Sequence, residues 1–256
     1  MSQIFLDNKL FLCGCKLNSI NKDNDTLDTN PNSFSSSFMY SIDISKEPIS
    51  VSFEVNSCYM HYYPSLTILR KEYIIVIGGY KSIKCEYYCI SSKKWKDLPE
   101  LPEERYGCSS ICDNTYNAIY CFGGYNYKYK KNCMSVLKLN IKKANKWDTL
   151  IVMENSDLLS RKFSCIIQKN DANFIIVGGK NNNNYPTDDV VEILIKNKKI
   201  IVKDINKKLN NKVEFISLRN GIYSFNGNAY CFDEDLYDII HKIENEYISI
   251  IKINQS

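Results

Sequence analysis

Three unbroken apolar runs in this chain are each closed by a pair of glycines: Tyr73-Ile-Ile-Val-Ile-Gly78-Gly79, Ile119-Tyr-Cys-Phe-Gly123-Gly124 and Phe174-Ile-Ile-Val-Gly178-Gly179. Runs this short, with no polar residue on alternate positions, predict strands buried on both faces. The glycines mark places where the backbone needs a positive φ or where another chain segment comes close. The feature recurs at roughly 50-residue intervals, a period that points to stacked or circular repeats.

Between the runs the pattern remains one of short strands. Lys84-Cys-Glu-Tyr-Tyr-Cys-Ile90 predicts a second strand, Ser91 to Lys94 a turn, and Trp95 the opening of a third strand. Leu98-Pro-Glu-Leu-Pro102 cannot continue a central strand and reads as a connection. Arg105-Tyr-Gly-Cys-Ser-Ser-Ile111 predicts the strand that leads, through a turn at Asp113, into the next glycine run. Four short antiparallel strands per repeat without helical periodicity describe one blade of a propeller.

Gly78-Gly79, Tyr88, Trp95, the Leu-Pro connection and Arg105 together resemble a kelch repeat. The following unit keeps Gly123-Gly124, Trp147 and Arg161, and a third keeps Gly178-Gly179 but has no tryptophan. Weaker copies flank these, at Asn8 to Cys15 and at Arg219 to Phe232. The resemblance implies an all-β fold: a kelch-type β-propeller of about five four-stranded antiparallel blades in one domain spanning 1–256. The expected blade limits are 1–58, 59–103, 104–158, 159–211 and 212–256. Kelch rings usually close with about six blades, so the count leaves three readings: a five-bladed ring, an undetected sixth unit, or a shortened relative that stays open and self-associates. In the family the tryptophans pack between neighbouring blades and the arginines fix loops, so these marker residues are expected to be architectural. Segments rich in Asn and Ser, Asn18 to Ser37 and Asn181 to Asn184, are expected to be inserted low-complexity loops.

Composition narrows the function classes. Thirty-three basic and 29 acidic side chains give a net charge of +4, and the lysines are scattered, so no nucleic-acid footprint is expected. No run approaches the ~18 apolar residues of a membrane span, and Met1 to Asp7 lacks the features of a secretory signal. With eleven cysteines, an odd number, reduced thiols in a cytoplasmic protein are the expectation. Cys85-x3-Cys89 and Cys108-x3-Cys112 have a spacing zinc tolerates, but residues four apart on a strand share a face and more simply fill a buried side. His61 aligns with Arg105 and Arg161 and reads as a structural substitute; His241 alternates with apolar residues on a strand. No nucleotide-binding loop or nucleophile motif is present, so no catalytic residue, metal or cofactor is assigned.

The loops after the glycine pairs carry the functional expectation. Tyr80, Tyr125, Tyr127 and Tyr129 are the candidate partner-binding residues, since loop tyrosines supply large contact area at low entropic cost. The expected function is a non-catalytic protein-interaction module, in a narrower version a substrate-recruiting adaptor for a ubiquitin ligase, here without the BTB domain that commonly accompanies kelch repeats. The alternative is a kelch-fold enzyme acting on a sugar or other small molecule.

Overall fold

A computed structural model describes residues 2–14, 37–43, 45, 50–187, 189–196 and 198–208, together with the strand backbones between 222 and 252. The fold is all-β and propeller-like. Its strands run in antiparallel meanders of four in chain order. The first holds β1 (Ser2–Leu6), β2 (Lys9–Gly14), β3 (Phe38–Asp43) and β4 (Ser50–Phe53). The second holds β5 (Ser65–Leu69), β6 (Tyr73–Gly79), β7 (Ser82–Cys89) and β8 (Lys94–Leu98). In the third, β9 (Ser109–Asp113) and β10 (Ala118–Phe122) are separated from β13 (Val136–Asn140) and β14 (Trp147–Val152) by a two-stranded hairpin, β11 (Tyr125–Asn126) and β12 (Lys131–Asn132). The fourth holds β15 (Cys165–Asn170), β16 (Asn173–Val177), β17 (Asp189–Lys196) and β18 (Lys199–Lys208). The last holds β19 (Ile222–Phe225), β20 (Asn228–Phe232), β21 (Ile239–Glu244) and β22 (Tyr247–Lys252).

The first strands lie side by side around a circle: β1 meets β5, β5 meets β9, β9 meets β15, β15 meets β19, and β19 returns to β1. At the periphery β14 and β18 pair in parallel over Ile151–Lys199 and Val152–Ile200, which joins the third and fourth meanders into one mixed sheet.

The apolar runs are explained by packing on two sides. In β6, Ile74 packs with Phe11, Met39 and Tyr88 towards the first meander. Ile75 and Ile77 face the other way, onto Cys121, Leu137, Leu139 and Trp147 of the third. In β10 the alternation repeats, with Tyr120 and Phe122 turned towards Phe174, Ile176 and Val191 of the fourth meander. A sheet sandwiched between two others has no solvent face, so its second strand has no polar positions.

The double glycines join neighbouring meanders. Gly123 has φ +57°, and a Cβ there would lie 2.2 Å from the Arg161 carbonyl oxygen; at Gly78 the corresponding distance, to the Arg105 oxygen, is 2.5 Å. In the first two pairs the second glycine donates its N–H to the same oxygen, Gly79 to Arg105 and Gly124 to Arg161, both at 2.8 Å. Meanwhile the buried Arg161 guanidinium donates to the Gly178 carbonyl of its own meander at 3.1 Å, as Arg105 does to Gly123 at 3.2 Å. His61 takes the same place in the second meander, its Nδ1 2.7 Å from the Gly78 oxygen. The segment predicted as a strand from Arg105 joins its meander's ladder only at Ser109, because the arginine and Gly107 (φ +62°) form the turn that makes these bonds.

Both tryptophans tie a meander to the connection before it. Trp95 Nε1 donates to the Val55 carbonyl and Trp147 Nε1 to the Pro99 carbonyl, each at 2.8 Å. Trp147 is buried and belongs to the core, whereas Trp95 is half-buried. Trp147→Ala is therefore expected to cost ~3–5 kcal/mol in denaturant unfolding, with Trp95→Ala costing less. Equal losses in the two variants would contradict this ranking.

The four paired cysteines do not fill one uniform side. Cys85, Cys108 and Cys112 are buried in the core between the second and third meanders. Cys89 is half-buried, with its Sγ 3.4 Å from Ser91 Oγ. Among the described residues no group of three or more His, Cys, Asp or Glu side chains gathers as a metal site would. The Asn18 to Ser37 insertion lies outside the described residues except for Ser37, whose hydroxyl accepts the His61 N–H at 2.6 Å. The His241 and Arg219 side chains lie outside them as well.

Candidate functional site: an aromatic face with a lysine pair

Where the second strands finish and the first strands begin, three residues at matching places hold left-handed backbone: Tyr63 (φ +50°), Gly107 (+62°) and Phe163 (+58°). Gly107 N–H donates to the Tyr63 oxygen at 2.9 Å, and Phe163 N–H donates to the Gly107 oxygen at 2.6 Å. Because Gly107 has no side chain, the Phe163 ring lies directly over it and meets the Tyr63 ring edge-on at 5.6 Å. Bulky residues in this conformation cost about 1–2 kcal/mol each, and such strain concentrates at functional positions.

Beside this centre runs a continuous chain of rings. Tyr106 lies 6.5 Å from Tyr63, 6.0 Å from Phe163, 5.6 Å from Tyr80 and 5.3 Å from Tyr125. Tyr80 in turn meets Tyr127 at 4.9 Å. Burial first, then the hydrogen bond with the Tyr127 hydroxyl, push the Tyr80 phenol well above its usual range, so it stays neutral. Three of the four tyrosines read from the sequence thus come together through Tyr106. Tyr129 stands apart, exposed, with Lys128 and Lys131 over its ring at 5.5 and 6.0 Å.

Cations surround the rings. The Lys81 ammonium lies 4.6 Å from the Tyr127 ring centre, and that of Lys162 lies 4.4 Å from Tyr125 and 5.5 Å from Tyr106. Lys162 and Lys180 are a backbone-paired couple, each donating its N–H to the other's carbonyl at 3.0 and 2.8 Å.

The segment Asn181 to Asn184 lies in a loop, and the bonds of Asn182 fit that loop to this face. Asn182 accepts the Asn132 N–H at 2.9 Å and donates to Ser160 Oγ at 2.9 Å. Asn132 donates to the Lys180 and Ser160 carbonyls, both at 3.1 Å. These bonds fix the β11–β12 hairpin, which carries Tyr125, Tyr127 and Tyr129, against the fourth meander. Between that hairpin and Ser156, a cleft of about 350 Å³ is lined by Glu103, Asn126, Lys131, Met134 and Val152.

Sequence reasoning missed Tyr63, Tyr106, Phe163, Lys81 and Lys162. The signal was available: Tyr62, Tyr106 and Lys162 each follow the aligned His61, Arg105 and Arg161, and Tyr63, Gly107 and Phe163 come next. Reading down those columns marks the face.

No family model matches the chain, and no curated protein does. Among solved structures, that of YjhT is similar over 96% of this chain and 81% of its own, with a TM-score of 0.61 and 10% identical residues. At that identity the likeness bears on the fold alone.

Proposed function

We propose that the chain is a five-bladed kelch-type propeller that works, without catalysis of its own, by binding a protein partner on the aromatic face. The observation that carries this reading is the joined array of Tyr63, Tyr80, Tyr106, Tyr125 and Tyr127 on loops held rigid by backbone and asparagine bonds. Tyr63 and Tyr127 present exposed rings there, and Tyr129 presents another on the same hairpin as Tyr127. Preformed tyrosines that need little ordering are the side chains that most often dominate interfaces. In this reading the ring closes through β1 and β19, and the self-association expected of an open ring falls away.

The test is affinity capture from native cells with the wild-type chain and a Tyr127→Ala/Tyr129→Ala variant. Tyr129 is exposed and Tyr127 packs only its inner side on Tyr80, so the variant loses no more than the ~0.5–1.5 kcal/mol of one ring pair and stays folded. It is expected to lose at least about ten-fold in partner recovery, since one hot-spot ring is worth ~2 kcal/mol. Undiminished recovery by the variant would defeat the assignment of the face. A ubiquitin-ligase scaffold among the wild-type captures supports the narrower adaptor role.

A further inference from the structure

Across the second, third and fourth meanders the face changes chemistry while its backbone frame stays the same. Behind His61, Arg105 and Arg161 come Tyr62, Tyr106 and Lys162; behind the glycine pairs come Tyr80, Tyr125 and Lys180. Each of the three couples is bonded alike, with Tyr80 N–H to the Tyr62 oxygen, Tyr106 and Tyr125 exchanging N–H bonds, and Lys162 exchanging them with Lys180. Two tyrosine couples are thus followed by a lysine couple.

The lysine couple is electrostatically uncompensated. Lys162 is only 7% exposed, and among the described residues no carboxylate pairs with it or with Lys180. Arg105 and Arg161, one residue from the couples, have Glu103 at 2.7 Å and Asp189 at 3.8 Å. Burial and then the neighbouring Lys180 push the Lys162 ammonium below lysine's ordinary range, and no acidic group opposes the shift. A ring face gives a desolvated cation ~2 kcal/mol or more, but neither ring carries a formal charge to balance the ammonium, which loses several kcal/mol on leaving water. Buried charges are normally paired, so the missing member points to a ligand.

We propose that Lys162 and Lys180 form an oxyanion seat, filled by the carboxylate of an acidic side chain on the partner, with Tyr106 and Tyr125 as its aromatic walls. The proposal rests on the partner-binding reading of this face and names the chemistry it recognises. A carboxylate between the two ammoniums would satisfy both, and a neighbouring apolar group of the partner would lie on the tyrosines.

The seat is tested on the full chain by nitrogen NMR of the lysine ammonium groups, with Lys162→Met and Lys180→Met used for assignment. Sodium acetate and inorganic phosphate are the probes, added at constant ionic strength against chloride. The expected result is a saturable shift of the Lys162 signal with acetate, about ten-fold weaker in Lys180→Met because one nearby charge is lost. The exposed Lys94 should show no saturation. Lys162→Met, which removes an unpaired cation and keeps the side chain's volume, should unfold at the same temperature as the wild type or higher. A Lys162 response no different from that of Lys94, or saturation by phosphate and not by acetate, overturns the carboxylate seat. So does a lowered unfolding temperature for Lys162→Met, which would make the lysine structural. None of these readouts depends on capturing a partner, so a failed seat together with Tyr127- and Tyr129-dependent capture discards the seat and leaves the face.

Discussion

Glu86→Ala will cost ~3–5 kcal/mol of folding free energy, because it takes one partner away from a fully buried, hydrogen-bonded carboxyl–imidazole pair. Glu86 and His61 are both fully buried, with Oε1 2.8 Å from Nε2. The carboxylate also accepts the amides of Cys58 at 3.1 Å and Tyr59 at 3.4 Å. On the other side of the ring, Nδ1 faces the Gly78 carbonyl, which can only accept, so a proton resides on Nδ1. Alanine would leave the buried Nε2 and the part-buried amides of Cys58 and Tyr59 without their partner, and an unsatisfied buried group costs ~1–3 kcal/mol. The pair also replaces, in the second meander, the arginine that links first strand to glycine turn elsewhere, so its loss would loosen that link. Urea unfolding of Glu86→Ala, His61→Ala and the double variant checks this. The double variant should fall short of the sum of the singles by ~1–3 kcal/mol, as for groups in one network. A Glu86→Ala loss under ~1 kcal/mol, the scale of an exposed pair, would contradict the account.

Gly123→Ala is expected to be about as damaging, for steric reasons. With φ +57° an alanine there adopts left-handed backbone, at about 1–2 kcal/mol. Its Cβ would also meet the Arg161 oxygen at 2.2 Å and the Leu159 oxygen at 3.2 Å. Backbone oxygens cannot rotate away, so relief requires the third and fourth meanders to separate, straining the Gly124 to Arg161 bond. With ~1–3 kcal/mol for overpacking, the total is ~2–5 kcal/mol. The urea midpoint should drop sharply with the slope unchanged. A variant within ~1 kcal/mol of wild type would show that the inter-meander contact tolerates displacement.

How much of this was legible in the sequence depends on how local each feature is. The all-β character could be read because every glycine strand carries its reason within itself: two buried faces give an unbroken apolar run, and a clash with the next meander demands glycine. The arginine column was legible for the same reason, and His61 could be placed in it. Its partner Glu86 could not, since a carboxylate between Cys85 and Tyr87 looks like the solvent-facing residue of an alternating strand. The tyrosines after the glycines were found by their place in the loops that follow the pairs, whereas Tyr63 and Phe163 were not, because their importance lies in meeting over Gly107 from different repeats. Lys162 and Lys180 are ordinary lysines in the sequence. Only their backbone pairing, and the lack of a carboxylate beside them, distinguishes them. The bonds made by Asn182 were not legible, because a repetitive composition hides which asparagine makes them.

The direction of the glycine bonds bears on how the chain is made. Gly79 donates to Arg105, and Gly124 donates to Arg161, so each acceptor belongs to a segment synthesised later than its donor. A meander leaving the ribosome can form its own strand ladder, but its glycine turn lacks an acceptor until the following arginine has emerged. The nascent protein would therefore mature with a lag of one repeat, its newest unit always the least settled. Translational pauses placed just after an arginine would let the preceding unit lock, and pauses placed just before one would leave it waiting.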